Sequence, residues 1–437
     1  MARASPFAFG GRRVAGLAVA LVAVLALSSF AGAGATSVSA GPSVPPALSP
    51  AVAFTNVPTP SSSAPPALSP GSVGSVVRTA YLNYNGTSVG NFPSSVYDWI
   101  AGTATVDPLT DQLWIPEWPA SILGIPAPTT APALVYDPAD NQTQMVANLT
   151  NTSALAFDPI TGDLYATEPF DDDVLVFNPV TETIVHAPIP VGTDPMAILY
   201  DSASENLYAV NTVSSNVTVI NGTSDLVEVP GISVGTSPVA LADDTTDRQM
   251  FIAVSTPASI WNISTKSNGP GLRALGLPSP ATSMSYSMST DLLGVGMPAS
   301  RDFEIYDPST LASTFLGPVE AGISSVASTI SGTYFVVAND SGLNLTLVDA
   351  TTGGVLAQHP PAGNDPARLT TDLSTDFVFA WSGLNRTVSQ VNLTTDSLRQ
   401  TSPSLAVQAE TLAYDPDSGY VYIAGRLSEN LVVLNAS

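Results

Sequence analysis

Cysteine is absent from the 437 residues, which excludes disulfides, thiolate metal sites and cysteine nucleophiles and leaves the redox compartment undetermined. Lysine occurs once, at Lys266, and histidine twice, at His186 and His359. With 12 basic residues against 36 acidic ones and a formal charge of −24, the chain has no cationic surface to neutralise phosphates, so nucleic acid is excluded as a partner. Two histidines, each near prolines, supply neither a multi-histidine metal centre nor the base of a Ser-His-Asp triad, and both are read as surface residues. Charged residues make up only 11% of the chain, too few for long amphipathic helices. What is present instead is 44% hydrophobic residues cut into short segments by 32 glycines and 38 prolines, the composition of a β protein.

The first 35 residues read as a targeting segment. Arg3, Arg12 and Arg13 precede an apolar run from Val14 to Leu27, and Ala31-Gly-Ala33 and Ala33-Gly-Ala35 offer small-residue cleavage sites. The chain is therefore expected to be secreted or at the cell surface. If cleavage fails, about 20 residues from Val14 to Ala35 suffice for a membrane anchor, and membrane contact is expected through that segment alone. Residues 36–75 are rich in Pro, Ser and Ala, contain Pro-Pro-Ala-Leu-Ser-Pro twice, and read as a disordered spacer.

From residue 76 onward the chain repeats. An acidic or small residue, a polar turn and an apolar-aromatic pair recur from Asp107, Asp158, Asp201, Asp244, Ser287, Ser328, Asp372 and Asp415, with the central steps spaced by 43 residues. After each comes a strand-like run closed by Asp137, Asn178, Asn221, Asn262, Asp307, Asp349, Asn392 or Asn435. Four short strands per unit, with no helical periodicity between them, is the spacing of a propeller blade. The expected fold is thus an all-β propeller of four-stranded blades over residues 76–437, eight by this count and seven if the first unit is an appendage. The last unit ends after its third strand, so the run Val76-Val-Arg-Thr-Ala-Tyr-Leu is expected to supply the missing outer strand and close the ring.

The unit running through Leu207-Tyr208-Ala-Val-Asn211, Ser215-Asn216-Val-Thr-Val-Ile220 and Val234-Gly-Thr-Ser-Pro238 resembles the YVTN-repeat β-propellers, found in exported and surface-layer proteins. Val191-Gly-Thr-Asp-Pro195 repeats its last part. The resemblance spans Asp107 to Ser437 and is sharpest over residues 158–243. It implies a fold and a location: propellers of this kind serve mostly as binding or structural modules. Related propellers include lactonases and lyases that use carboxylates or histidines around the channel, and no such set maps onto this chain.

Two loops between second and third strands stand out. One, an insertion from Trp114 to Thr130, carries Glu117 and Trp118, an aromatic face and a carboxylate suited to a sugar ring, whereas Trp114 holds the position of Tyr165 and Tyr208 and is read as core. The other gathers Glu168, Asp171, Asp172 and Asp173, oxygen ligands for Ca2+ or, more plainly, a solvated acidic turn. Twelve Asn-x-Ser/Thr sequons at Asn85, Asn141, Asn148, Asn151, Asn216, Asn221, Asn262, Asn339, Asn344, Asn385, Asn392 and Asn435 suit a glycosylated exported protein. The expected role is a binding or scaffold module of the cell envelope, with a protein or carbohydrate partner. The alternative is an extracellular hydrolase or lyase working through rim carboxylates, with or without Ca2+. No catalytic residue is assigned.

Overall fold

The computed structural model describes residues 76–81 and 98–435, with short gaps at some connections between strands. The expected signal and spacer, residues 1–35 and 36–75, lie outside the described residues, as do His359 and the sequons at Asn85, Asn141 and Asn344. Every regular element described is a strand. No helix of the described residues is long and apolar enough to cross a membrane.

The strands form eight four-stranded antiparallel blades arranged in a closed ring. Blade 3 shows the pattern: Pro195–Asp201 is innermost, followed outward by Asn206–Asn211, Asn216–Asn221 and Leu226–Ser233. Each innermost strand lies beside that of the next blade, and the ring closes with Ala409–Asp415 of blade 8 beside Thr105–Val106 of blade 1. The unit count is confirmed at eight, and the first unit is a true blade. The start of its insertion, Glu117–Ala120, pairs antiparallel with Asp98–Ala101, which precedes the blade, in a separate two-stranded sheet.

Blade 8 takes its outermost strand from the far end of the chain. Val76–Tyr81 pairs antiparallel with Asn430–Asn435, from Val76 opposite Leu434 to Tyr81 opposite Asn430. Without it, Asn430–Asn435 would be an edge with unpaired N–H and C=O groups.

The alternation along each strand explains how the ring coheres. In Asn206–Asn211, Leu207 and Ala209 pack towards blade 2 while Tyr208 and Val210 pack towards blade 4. Both faces of a blade are thus interfaces, which is why Leu207-Tyr208-Ala209-Val210 is apolar throughout. The described residues contain eight buried clusters, one at each junction, including Leu113, Tyr136, Tyr422 and Val433 where blade 8 meets blade 1. Trp114 is buried at the junction of blades 1 and 2, with its ring edge-on to Phe177 at 5.5 Å.

The recurring Asp anchors the turn from strand 1 to strand 2. In blade 3 it does so with both oxygens: Oδ1 of Asp201 accepts from the Ala203 N–H (2.8 Å) and Oδ2 from the Ser204 hydroxyl (2.7 Å). Asp107 repeats this with Leu109 and Thr110. Four residues on, the chain turns left-handed and its N–H returns to the Asp carbonyl, as at Asp111, Gly162, Glu205 and Gly419. Blade 6 departs from the expected register by one residue: Thr329, not Ser328, takes the anchoring place, because its N–H donates to Tyr334 O (3.2 Å). Blade 2 departs at its outer edge, where Pro188 lacks an N–H and the fourth strand splits into Thr183–Ile184 and Ile189–Pro190, both paired with Asp173–Asn178.

At the junction of blades 5 and 6, Phe303 and Phe335 meet at 5.6 Å over Gly294. A Cβ at 294 would fall 2.6 Å from Phe335 Cδ1 and 2.9 Å from Phe303 Cζ. We expect Gly294→Ala to destabilise the protein by roughly 1–3 kcal/mol through overpacking. Gly276→Ala, whose Cβ would meet nothing within 4 Å, serves as the control in thermal unfolding. Equal melting temperatures for the two variants would refute the packing argument.

Candidate functional site

Because successive strands are antiparallel, the turns from strand 1 to 2 and from strand 3 to 4 share one rim, here the lower rim. The connections from strand 2 to 3 and from blade to blade share the upper one.

On the upper rim, the last residue of strand 2 is polar in several blades and buried in each: Glu168, Asn211, Asn339 and Ser382. In blade 3, Nδ2 of Asn211 donates to Asn216 Oδ1 (2.7 Å) and Thr218 Oγ1 (2.9 Å), tying strand 2 to strand 3. Asn339 does the same with Thr346 Oγ1 (2.9 Å). Blade 2 has a carboxyl pair here, with Glu168 directly across from Asp173. An amide can donate, whereas two carboxylates cannot, so this pair needs a proton. Burial pushes Glu168 up to about 8, with its hydrogen bond and charge contact to Asp173 adding to the rise. Burial also raises Asp173, whose Oδ1 is enclosed without a hydrogen-bond partner.

The remaining acids of that loop add to the rise, Asp171 acting on both carboxyls and Asp172 on Asp173. Phe170 and Asp171 are exposed at the tip, and Asp172, in a left-handed conformation, accepts through Oδ1 from the Asp194 N–H of blade 3 (3.0 Å). Among the described residues, no three of Glu168, Asp171, Asp172 and Asp173 bring ligand oxygens within reach of one cation. Glu117 is buried just past Leu113–Ile115, strand 2 of blade 1, and opens the strand Glu117–Ala120, in which the Trp118 backbone pairs with Ile100. The Trp118 side chain lies outside the described residues.

Among the sequons, Asn148 and Asn385 are exposed, whereas Asn151, Asn216, Asn221, Asn262, Asn392 and Asn435 are half-buried. The Asn221 and Asn262 amides donate to Glu228 Oε1 and Gln249 Oε1, both at 2.8 Å. Asn339 is fully enclosed, so the folded chain does not present it to a glycosylating enzyme. His186 is not a plain surface residue: its Nε2 lies 3.1 Å from Asp225 Oδ2, so blade 2 is tied to the outer turn of blade 3. Tyr165 donates to the same turn, to Asp225 Oδ1 and to Gly222 O (3.0 Å).

The lower rim carries what the sequence reading missed. In blades 3, 5 and 8 the residue before the anchoring position is a tyrosine that leans on the anchoring Asp of the preceding blade. Tyr200 lies beside Asp158, Tyr286 beside Asp244 and Tyr414 beside Asp372, and burial first and these carboxylates second raise all three phenols. In blade 4 the position is Asp243, which burial, then Asp201 and Asp244, push up to about 7. Beside it, one carboxylate oxygen from each of Asp244, Asp247 and Asp291 lies within 4.8 Å of the other two, the one such group among the described residues. The group spans two blades, so its members are far apart in sequence.

No protein-family model matches the chain, and no curated protein matches it. Among solved structures it is similar to hydrazine synthase of Kuenenia stuttgartiensis, at 16% identity over 65% of this chain and 95% of that one, with a TM-score of 0.50. It is also similar to the computationally designed Ika8 protein, at 11% identity over 77% of this chain and 96% of that one, with a TM-score of 0.59. At these identities the likeness is one of fold, and what it shows is a β-propeller.

Proposed function

We propose that the protein is an exported propeller of the YVTN-repeat kind, secreted or held at the cell surface, that acts as a binding or scaffold module of the cell envelope for a protein or carbohydrate partner. The observation that carries this reading is where the repeat's polar residues go. The anchoring Asp is buried in six blades, at Asp107, Asp158, Asp201, Asp244, Asp372 and Asp415, and in blade 3 both Asp201 and the Asn211 of Tyr-Ala-Val-Asn are bonded within the fold. The repeat signature builds the ring, and the exposed loop tips are left to meet a partner. The signal-like N-terminus, the spacer and the sequons support the location.

The test is fractionation of the native source, followed by screening the purified protein against envelope glycans and proteins and against lactone and polysaccharide substrates. The expected result is protein in the envelope or medium, glycans at Asn148 and Asn385 with none at Asn339, and saturable binding without turnover. Recovery from the cytoplasm with an intact N-terminus would overturn the location. Turnover would favour the second reading, an extracellular hydrolase or lyase. One observation favours that reading: the upper rim sets Glu168 directly across from Asp173, and burial raises both carboxyls, so the pair can share a proton and serve as a general acid. Turnover lost in Glu168→Gln would establish it in place of the first.

A further inference from the structure

The geometry points to a calcium site at the junction of blades 4 and 5, held by Asp244, Asp247 and Asp291. The first argument is distance. Oxygens that share a Ca2+ ion at about 2.3–2.6 Å stand at most about 5 Å apart, and the three carboxylates satisfy this before any ion is bound, each lying within 4.8 Å of the others.

The second argument is an unused ligand atom. Asp244 is fully enclosed. Its Oδ1 accepts from the N–H groups of Thr246 (3.0 Å) and Asp247 (2.9 Å), which fixes the carboxylate, while its Oδ2 is buried and accepts no hydrogen bond, the nearby Tyr286 hydroxyl being directed to Asp291 Oδ1. An enclosed carboxylate oxygen with no donor is unfavourable, and a cation removes that cost.

The third argument comes from the neighbouring junction. At the fourth residue after the anchoring Asp, blade 4 has Arg248, and its guanidinium reaches back across the junction to Ala203 O in the turn of blade 3. Blade 5 has Asp291 at the matching place, in the same left-handed conformation (φ 55° against 58°). So where one junction brings its own cation, the next brings a third carboxylate. Among the described residues, no lysine or arginine is salt-bridged to any of the three.

The surroundings define the ligand class. All donors are carboxylate oxygens, which suits a hard cation. The Tyr286 hydroxyl donates to Asp291 Oδ1 (2.9 Å) and orients it. Asp247 is exposed, leaving the outer coordination positions to water. Mg2+, which prefers oxygens at about 2.1 Å, would need the group to contract. The ion would join the turns of two blades at the lower rim. The site stands independently of the proposed binding role.

The experiment is calorimetry and Tb3+ luminescence on the whole chain, chelated and then returned to millimolar Ca2+. The expected result is a rise in melting temperature of several degrees with Ca2+, together with sensitised Tb3+ emission through Tyr286 that Ca2+ displaces. In Asp247→Asn, Asp291→Asn the rise is lost and Tb3+ binds at least tenfold more weakly. In chelator this variant melts no lower than the parent, since two like charges have gone; that shows it is folded. Asp171→Asn, Asp173→Asn keeps the full response. No Ca2+ response in the parent, an undiminished one in the lower-rim variant, or its loss in the upper-loop variant would each overturn the site.

Discussion

A chain that begins after Tyr81 is expected to lose its cooperative melting transition or to melt far below one that begins at Val76, although only six residues separate the two. Those six form the outermost strand of blade 8, in register from Val76 opposite Leu434 to Tyr81 opposite Asn430. Their loss unpairs the outward edge of Asn430–Asn435, whose Leu431 and Val433 face blade 1 and whose Val432 and Leu434 face blade 7. With each backbone hydrogen bond contributing about 1 kcal/mol net, the direct loss is on the order of 5 kcal/mol, a large part of the total stability of a typical domain. Weakening of the two clusters adds to it. A synthetic peptide of residues 74–83 added in trans should recover part of the transition, whereas one with Thr79→Pro should not. Equal melting of the two truncated chains would mean that closure does not depend on this strand.

The second large effect lies at Glu168. The folded state holds its carboxyl at about 8 against an ordinary 4.5, through burial and Asp173, and Asp173 is raised as well. Between those limits the folded protein binds more protons than the unfolded chain, so this contribution to stability is complete below about pH 4.5. It declines as the pH rises towards 8 and is gone above that. Glu168→Gln supplies a permanent donor to Asp173, as the Asn211 amide does to Asn216 in blade 3. The parent and the variant should melt together near pH 4.5. Near pH 9 the variant should be the more stable by on the order of 3 kcal/mol. Asp243, raised to about 7, slopes both curves in the same sense, so the difference between the two proteins isolates Glu168. A constant difference across the range would rule out the shared proton.

The fold was legible in this sequence because its rule is local and repeated. Asp158, Asp201 and Asp244 mark the same turn at equal spacing, and a turn needs only its own few residues. The reading slipped where that rule is diluted. In blade 6 neither Ser328 nor Thr329 is acidic, and what distinguishes Thr329 is its backbone and hydroxyl bonding to Tyr334, which the sequence does not display. In blade 2 the outermost strand is broken at Pro188 into two short pieces, which a uniform four-strand unit does not anticipate. The candidate sites were less legible, since a run of acids such as Asp171-Asp172-Asp173 scatters once a left-handed residue turns one away from the next. The group of Asp244, Asp247 and Asp291 has members in two units, and no window along the chain holds all three. The signal was nevertheless available: with the units superposed, Asp291 falls on Arg248, a reversal of charge at a position facing the preceding turn.

The shared sheet of blade 8 also fixes an order of events. A chain made from its N-terminus presents Val76–Tyr81 first and Asn430–Asn435 last, with the whole propeller between them. The strand that closes the ring therefore exists before any of its partners and must wait, unpaired, while seven blades form. A pairing of such long range is slow to find, and until it is found the waiting strand can add itself to any open edge, including that of another molecule. Premature closure on a second copy, giving ring-linked dimers or chains, is the failure to look for when this protein is refolded at high concentration.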